Sequence, residues 1–127
     1  MTIGFGDLRK GTAIELDGRP YEVLDYTRVK MQQRAPVVRL KVRDMIDGKV
    51  IEKTFGNYTN EFVLAPVEFR AVQYLYNDGQ FYYFMDLENY EQYPLRKEQL
   101  GDNVNFMKEE MEMEVVFYRG QPITVRL

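Results

Sequence analysis

The stretch "RVKMQQRAPVVRLKVRD", residues 28 to 44, holds six basic side chains and no acid before Asp44, in a chain whose net charge is −3. Arginine and lysine in such a row have the chemistry of phosphate binding, which positions a protein on nucleic acid without reading sequence. Within "VVRLKVR" the alternation is strict, so Val38, Leu40 and Val42 share one face of a strand while Arg39, Lys41 and Arg43 share the other. The apolar face must turn towards a core, and the three cations then face solvent. Arg28 and Lys30 on the preceding strand join that row if the two strands pair as a hairpin. Between them the chain reads Lys30, Met31, Gln32, Gln33, Arg34, Ala35, Pro36, a polar and basic tip in which Pro36 removes a ladder donor and stiffens the return. The pattern predicts a protruding loop on a cationic stem. The competing reading is an ordinary solvated strand face, because charges opposite an apolar face are common.

Other chemistry is scarce. The chain has neither histidine nor cysteine, which removes the imidazole base, the thiolate, disulfides and the usual zinc ligands together. No metal, no cofactor and no enzymatic activity are expected. Asp86 with Glu88, and Glu109 with Glu110, are the carboxylate pairs left for acid–base work. Asp17, Asp47 and Asp78 precede glycines and read as turn residues. Tyr74, Tyr76, Phe81, Tyr82, Tyr83 and Phe84 offer either a base-stacking platform or core side chains; the acidity of their half of the chain favours core.

The elements that must position these groups are strands. Asp17-Gly18, Asp47-Gly48, Asp78-Gly79 and Arg119-Gly120 separate short runs rich in Val, Ile, Phe and Tyr, the pattern of hairpins joined by tight turns. One brief helix is predicted in "PLRKEQLG", from the proline to a glycine stop, followed by a turn at "GDNV". "MEMEV" alternates as a half-buried strand. A boundary is expected near Pro66: residues 1–65 hold 11 Lys and Arg against 9 Asp and Glu, and residues 66–127 hold 6 against 11. Halves this small close their edges most readily as barrels. No internal sequence repeat is visible. No apolar run reaches the roughly 20 residues of a membrane helix, and "MTIGFGDLRKG" lacks a secretory core, so a soluble cytoplasmic protein is expected.

The order of "DLRKGT", "IELDGRPYEV", "VIEKTF", "YLYNDGQFYYFMD", "YEQ" and "QLGDNV" resembles bacterial elongation factor P from about Asp7 to Leu127. The resemblance implies an all-β fold of two small β-barrels, an N-terminal SH3-like (KOW-like) domain at 1–65 and a C-terminal OB-fold at 66–127. It implies a translation factor that binds the ribosome beside peptidyl-tRNA and promotes peptide bond formation at proline-rich stalls. Lys30, Met31, Gln32, Gln33 and Arg34 would then form the loop tip near the acceptor end. Arg28, Arg39, Lys41 and Arg43 would lie against transfer and ribosomal RNA backbones. The alternative is a generic RNA-binding adaptor built from the same two modules. Two features depart from the family pattern. Gln33 stands where the loop usually carries lysine or arginine, and the resemblance runs to "ITVRL" with the family's third, OB-like barrel expected to be absent from this piece.

Overall fold

A computed structural model describes residues 1–29, 37–56 and 61–127. They form two compact units, Met1–Ala65 and Pro66–Leu127. In the first unit the described strands are β1 (Thr2–Gly4), β2 (Ala13–Leu16), β3 (Arg19–Val29), β4 (Val37–Asp44), β5 (Val50–Phe55) and β6 (Glu61–Leu64), in the sheet order β1-β6-β2-β3-β4-β5. All of these pairings are antiparallel. Val23, Val38, Leu40 and Val42 enter its core beside Phe5, Leu8, Ile14 and Phe62.

The second unit pairs β7 (Val67–Asn77), β8 (Phe81–Asp86), β9 (Gln92–Arg96), β10 (Glu112–Tyr118) and β11 (Gln121–Arg126) in the order β11-β10-β7-β8-β9. Its outer strands β9 and β11 approach each other, and a short helix, α1 (Lys97–Leu100), packs against both. This closes the sheet around Val72, Tyr74, Phe84, Leu95, Leu100, Met113 and Val115. "MEMEV" behaves as its alternation predicts, with Met113 and Val115 in the core and Glu112 exposed.

Two of the glycine turns are two-residue hairpins with both central residues at positive φ: Asp17 (51°) with Gly18 (76°), and Arg119 (51°) with Gly120 (82°). That backbone twist matches the strands it joins, and glycine reaches it without a steric penalty. The helix differs from expectation. Pro94 lies inside β9, paired with Tyr83, and α1 starts only at Lys97. Proline is tolerated there because β9 is a sheet edge, where one row of amide groups has no strand to serve. Gly101, at φ 58°, does end the helix, but a 3₁₀ segment, Gly101–Phe106, follows in place of a simple turn.

Each unit also contains a buried aspartate at a strand end that organises the connection after it. Asp44 ends β4, is 4% exposed, and its Oδ1 accepts the amides of Ile46 (2.8 Å) and Asp47 (3.3 Å). Its Oδ2 accepts Arg19 Nε at 2.7 Å. Asp86 ends β8, is 1% exposed, and its Oδ1 accepts the amides of Glu88 (2.8 Å) and Asn89 (3.2 Å), while Oδ2 accepts Arg70 Nε and the Tyr93 hydroxyl. The backbone repeats as well. Gly48 and Tyr90 donate to the carbonyls of Asp44 and Asp86, and Met45 and Leu87 donate to the residue following each arginine, Pro20 and Ala71. A structural repeat thus exists where the sequence shows none.

Candidate nucleic-acid interface

The outward cationic row follows from local sequence. In β4 the exposure alternates residue by residue: Val38, Leu40 and Val42 are buried, and Arg39, Lys41 and Arg43 are exposed. Burying three branched aliphatic side chains stabilises the strand by roughly 1.5–3 kcal/mol each, far more than the solvated cations opposite them cost. The row therefore has a fixed direction.

Its neighbours are set by register. On the same face Arg43 lies opposite Glu22 of β3, Lys41 lies between Asp25 of β3 and Glu52 of β5, and Arg39 lies between Thr27 and Thr54. Arg43 forms an ion pair with Glu22 at 3.8 Å. Asp25 also reaches Lys10, at 4.0 Å. The stretch without acids along the chain consequently has acids across the sheet, a distribution that local reading cannot reveal.

Arg28 does not join the row. A β-bulge interrupts β3 between Val23 and Asp25, and one residue is left without a directly opposed partner. Before the bulge Val23 faces inward with Val42. After it Asp25 and Thr27 face outward with Lys41 and Arg39, and Tyr26 and Arg28 share the face of Leu40 and Val38. The Arg28 guanidinium lies 4.9 Å from the centre of the Phe5 ring, a cation–π contact at the margin of the core. The bulge shifts the phase of the alternation, so the two-residue period breaks within β3. The loop-tip residues Lys30, Met31, Gln32, Gln33 and Arg34 lie outside the described residues.

The carboxylate pairs do not form acid–base sites. The Arg70 guanidinium holds the Asp86 carboxyl well below the usual carboxylate range; burial opposes this, and the Glu88 amide and Tyr93 hydroxyl reinforce it. Glu88 sits beside the same arginine at 3.7 Å. For Asp44 burial alone pushes the carboxyl up, but Arg19 and the amides of Ile46 and Asp47 outweigh it and leave it lowered. Both groups are permanent acceptors with every oxygen engaged, which suits architecture rather than proton transfer. Glu109 and Glu110 are exposed at the approach to β10. Among the described residues no group of three or more His, Cys, Asp or Glu could hold a metal ion. Among the described residues no helix is long and apolar enough to cross a membrane.

The aromatic cluster divides between two faces. Tyr74 and Phe84 are buried, and Tyr82 packs against them. Tyr76, 47% exposed, stacks on Tyr83 on the opposite face with ring centres 4.9 Å apart, and Phe81 lies 6.4 Å from Tyr83. Core packing therefore accounts for half of the cluster. A bulge between Tyr74 and Tyr76 separates the two sets.

Among the described residues, a six-stranded antiparallel sheet followed by a five-stranded sheet closed by a short helix defines a two-module β protein of KOW-like and OB type. Residues 5–57 match the elongation factor P KOW-like domain, and residues 67–125 match the elongation factor P OB domain. The chain is 42% identical over 123 residues to elongation factor P of Thermodesulfovibrio yellowstonii, covering 97% of this chain and 65% of that protein. It is 46% identical over 125 residues to elongation factor P of Carboxydothermus hydrogenoformans, covering 98% and 67% respectively. The chain belongs to the elongation factor P family, and it spans about two thirds of the length of these relatives. In fold it is similar to a eukaryotic translation initiation factor 5A from Methanococcus jannaschii, with a TM-score of 0.67 at 21% identity over 98% of this chain and 95% of that one. A translation initiation factor eif-5a family protein from Naegleria fowleri gives a TM-score of 0.60 at 18% identity, covering 100% of this chain and 98% of that one.

Proposed function

We propose that this chain acts in translation, binding the ribosome beside peptidyl-tRNA and promoting peptide bond formation where consecutive prolines stall synthesis. The observation that carries the reading is the outward row Arg39, Lys41 and Arg43 at the root of residues 30–36, in a member of the elongation factor P family. The row faces the backbones of transfer and ribosomal RNA, an attraction that weakens as salt rises. Residues 30–36 meet the acceptor end and hold it in a reactive pose, so the contribution is entropic and the bond-forming chemistry stays with the ribosome. The protein is a non-catalytic factor. Gln33 meets that acceptor end as a neutral hydrogen-bonding group, with Arg34 beside it supplying charge.

The test is a reconstituted translation system lacking its own elongation factor P and reading a message with a proline run. Changing Arg39, Lys41 and Arg43 together to Glu is expected to weaken ribosome binding at least tenfold while global unfolding changes by less than about 1 kcal/mol, as befits exposed charges. Gln33→Ala and Arg34→Ala are expected to impair stall rescue more than binding. Unchanged ribosome affinity in the triple variant would refute the RNA face. Equal stimulation of messages with and without proline runs would point instead to a general RNA-binding adaptor.

A further inference from the structure

We infer that RNA contact on this face is concentrated at one seat, Arg39 between the hydroxyls of Thr27 and Thr54, which takes a single backbone phosphate. The inference rests on the ribosome-binding reading above and narrows it from a row to one position. Its basis is the uneven compensation of three cations that look equivalent along β4. Arg43 is matched by Glu22 at 3.8 Å. Lys41 has a carboxylate directly across on both sides, Asp25 and Glu52. Directly opposed side chains in an antiparallel sheet have their Cβ atoms about 4.5–5.5 Å apart, close enough for these acids to cancel much of the field of each cation at a phosphate placed outside the sheet.

Arg39 differs in both neighbours. Thr27 and Thr54 flank it, both are exposed, and neither makes a side-chain hydrogen bond to the described residues; Arg39 likewise has no ion pair among them. A planar guanidinium offers a fork of N–H donors that matches phosphate oxygens in pairs. A hydroxyl on each side can donate to the remaining oxygens without adding charge. One step further along the same face, Val29 pairs with Val37, so no carboxylate follows on that side. Positive potential on the outer face is therefore highest at the end adjoining residues 30–36, and it declines towards Arg43.

The experiment measures affinity of the full chain for purified ribosomes carrying peptidyl-tRNA across a range of potassium chloride concentrations. Arg39→Gln is expected to lower affinity about tenfold and to reduce the slope of log K against log salt by about 1, the signature of one lost phosphate contact. Lys41→Gln and Arg43→Gln, each removing a cation that already faces a carboxylate across the sheet, are expected to lower affinity by about threefold at most and to change the slope by less than half as much as Arg39→Gln does. The double variant Thr27→Val with Thr54→Val is expected to lose affinity severalfold at an unchanged slope, because hydroxyls and not charges are removed. Arg39→Lys is expected to keep the slope and lose affinity, which separates the planar fork from bare charge. Comparable losses at all three cations would overturn the seat and leave the extended row standing. No loss at any of them would overturn the RNA face itself.

Discussion

Asp44 and Asp86 occupy equivalent corners in two units that share no evident sequence repeat. Each carboxylate takes one arginine from the neighbouring strand and two amides from the chain that follows it. Each corner also ends with an amide bonded to a side-chain oxygen two residues earlier, Lys49 to Asp47 and Glu91 to Asn89, both at 2.9 Å. The differences are in the supporting residues. Gly48 takes the positive φ in the first corner, at 79°, and Tyr90 takes it in the second, at 63°. Only Asp86 also accepts a tyrosine hydroxyl, from Tyr93 at 2.8 Å. The Arg70 side chain is 26% exposed, against 42% for Arg19. The second corner is thus drier and more fully bonded, but it carries a backbone conformation that tyrosine adopts at a cost.

The largest effect that separates the corners is expected from deleting the carboxylates. Asp86→Ala should lower stability by about 3–5 kcal/mol, because it leaves the arginine and two amides without their acceptor. Asp44→Ala should cost less, since water reaches Arg19 more easily; hydrogen exchange in each unit of the full chain reads both. Equal losses would show that Tyr93 and the deeper burial add nothing. Tyr93→Phe is the next step down, at about 1.5–3 kcal/mol for a hydrogen bond to a charged group.

The pH dependence follows with a fixed sign. Both carboxyls are lowered in the folded protein, so the unfolded chain binds protons first as pH falls through the usual carboxylate range near about 4. The stability they contribute is complete above that range and is lost progressively below it. Asp86→Asn should lower stability at neutral pH and flatten its decline in acid, as followed by urea unfolding from pH 7 to 3. The smallest effects concern the positive-φ position. Gly48→Ala should destabilise by about 1 kcal/mol, and Tyr90→Gly should stabilise by less than about 1 kcal/mol, since only the second removes a strained side chain. If both changes destabilise, Tyr90 has a packing role that outweighs its backbone cost.

Much of the architecture was legible because it depends on neighbours in sequence. Asp17-Gly18 and Arg119-Gly120 announce their turns through backbone requirements, and "VVRLKVR" announces its two faces through alternation. The helix start was misplaced because Pro94 satisfies two local rules, first position of a helix and edge of a sheet, and only tertiary context chooses between them. The corners were missed because Arg19 precedes Asp44 by 25 residues and Arg70 precedes Asp86 by 16. An Arg followed by an Asp-x-x-Asp or Asp-x-x-Asn at a strand end is the signal that could have found them. At the proposed RNA face the row was visible, but Glu22, Asp25 and Glu52 beside it, and Thr27 and Thr54 around Arg39, become neighbours only through register. Acid-free along the chain did not mean acid-free in space.

The irregularity in β3 has a consequence for how the ribbon tolerates change. Val23 opposes Val42 and Asp25 opposes Lys41, so Leu24 is the one unmatched residue between them, and losing it would restore an unbroken alternation with Asp25, Tyr26, Thr27 and Arg28 on the faces they hold now. Losing a residue beyond it, such as Thr27, would instead turn Arg28 to the side now held by Arg39. Length along this strand is therefore forgiving at Leu24 and strict after it.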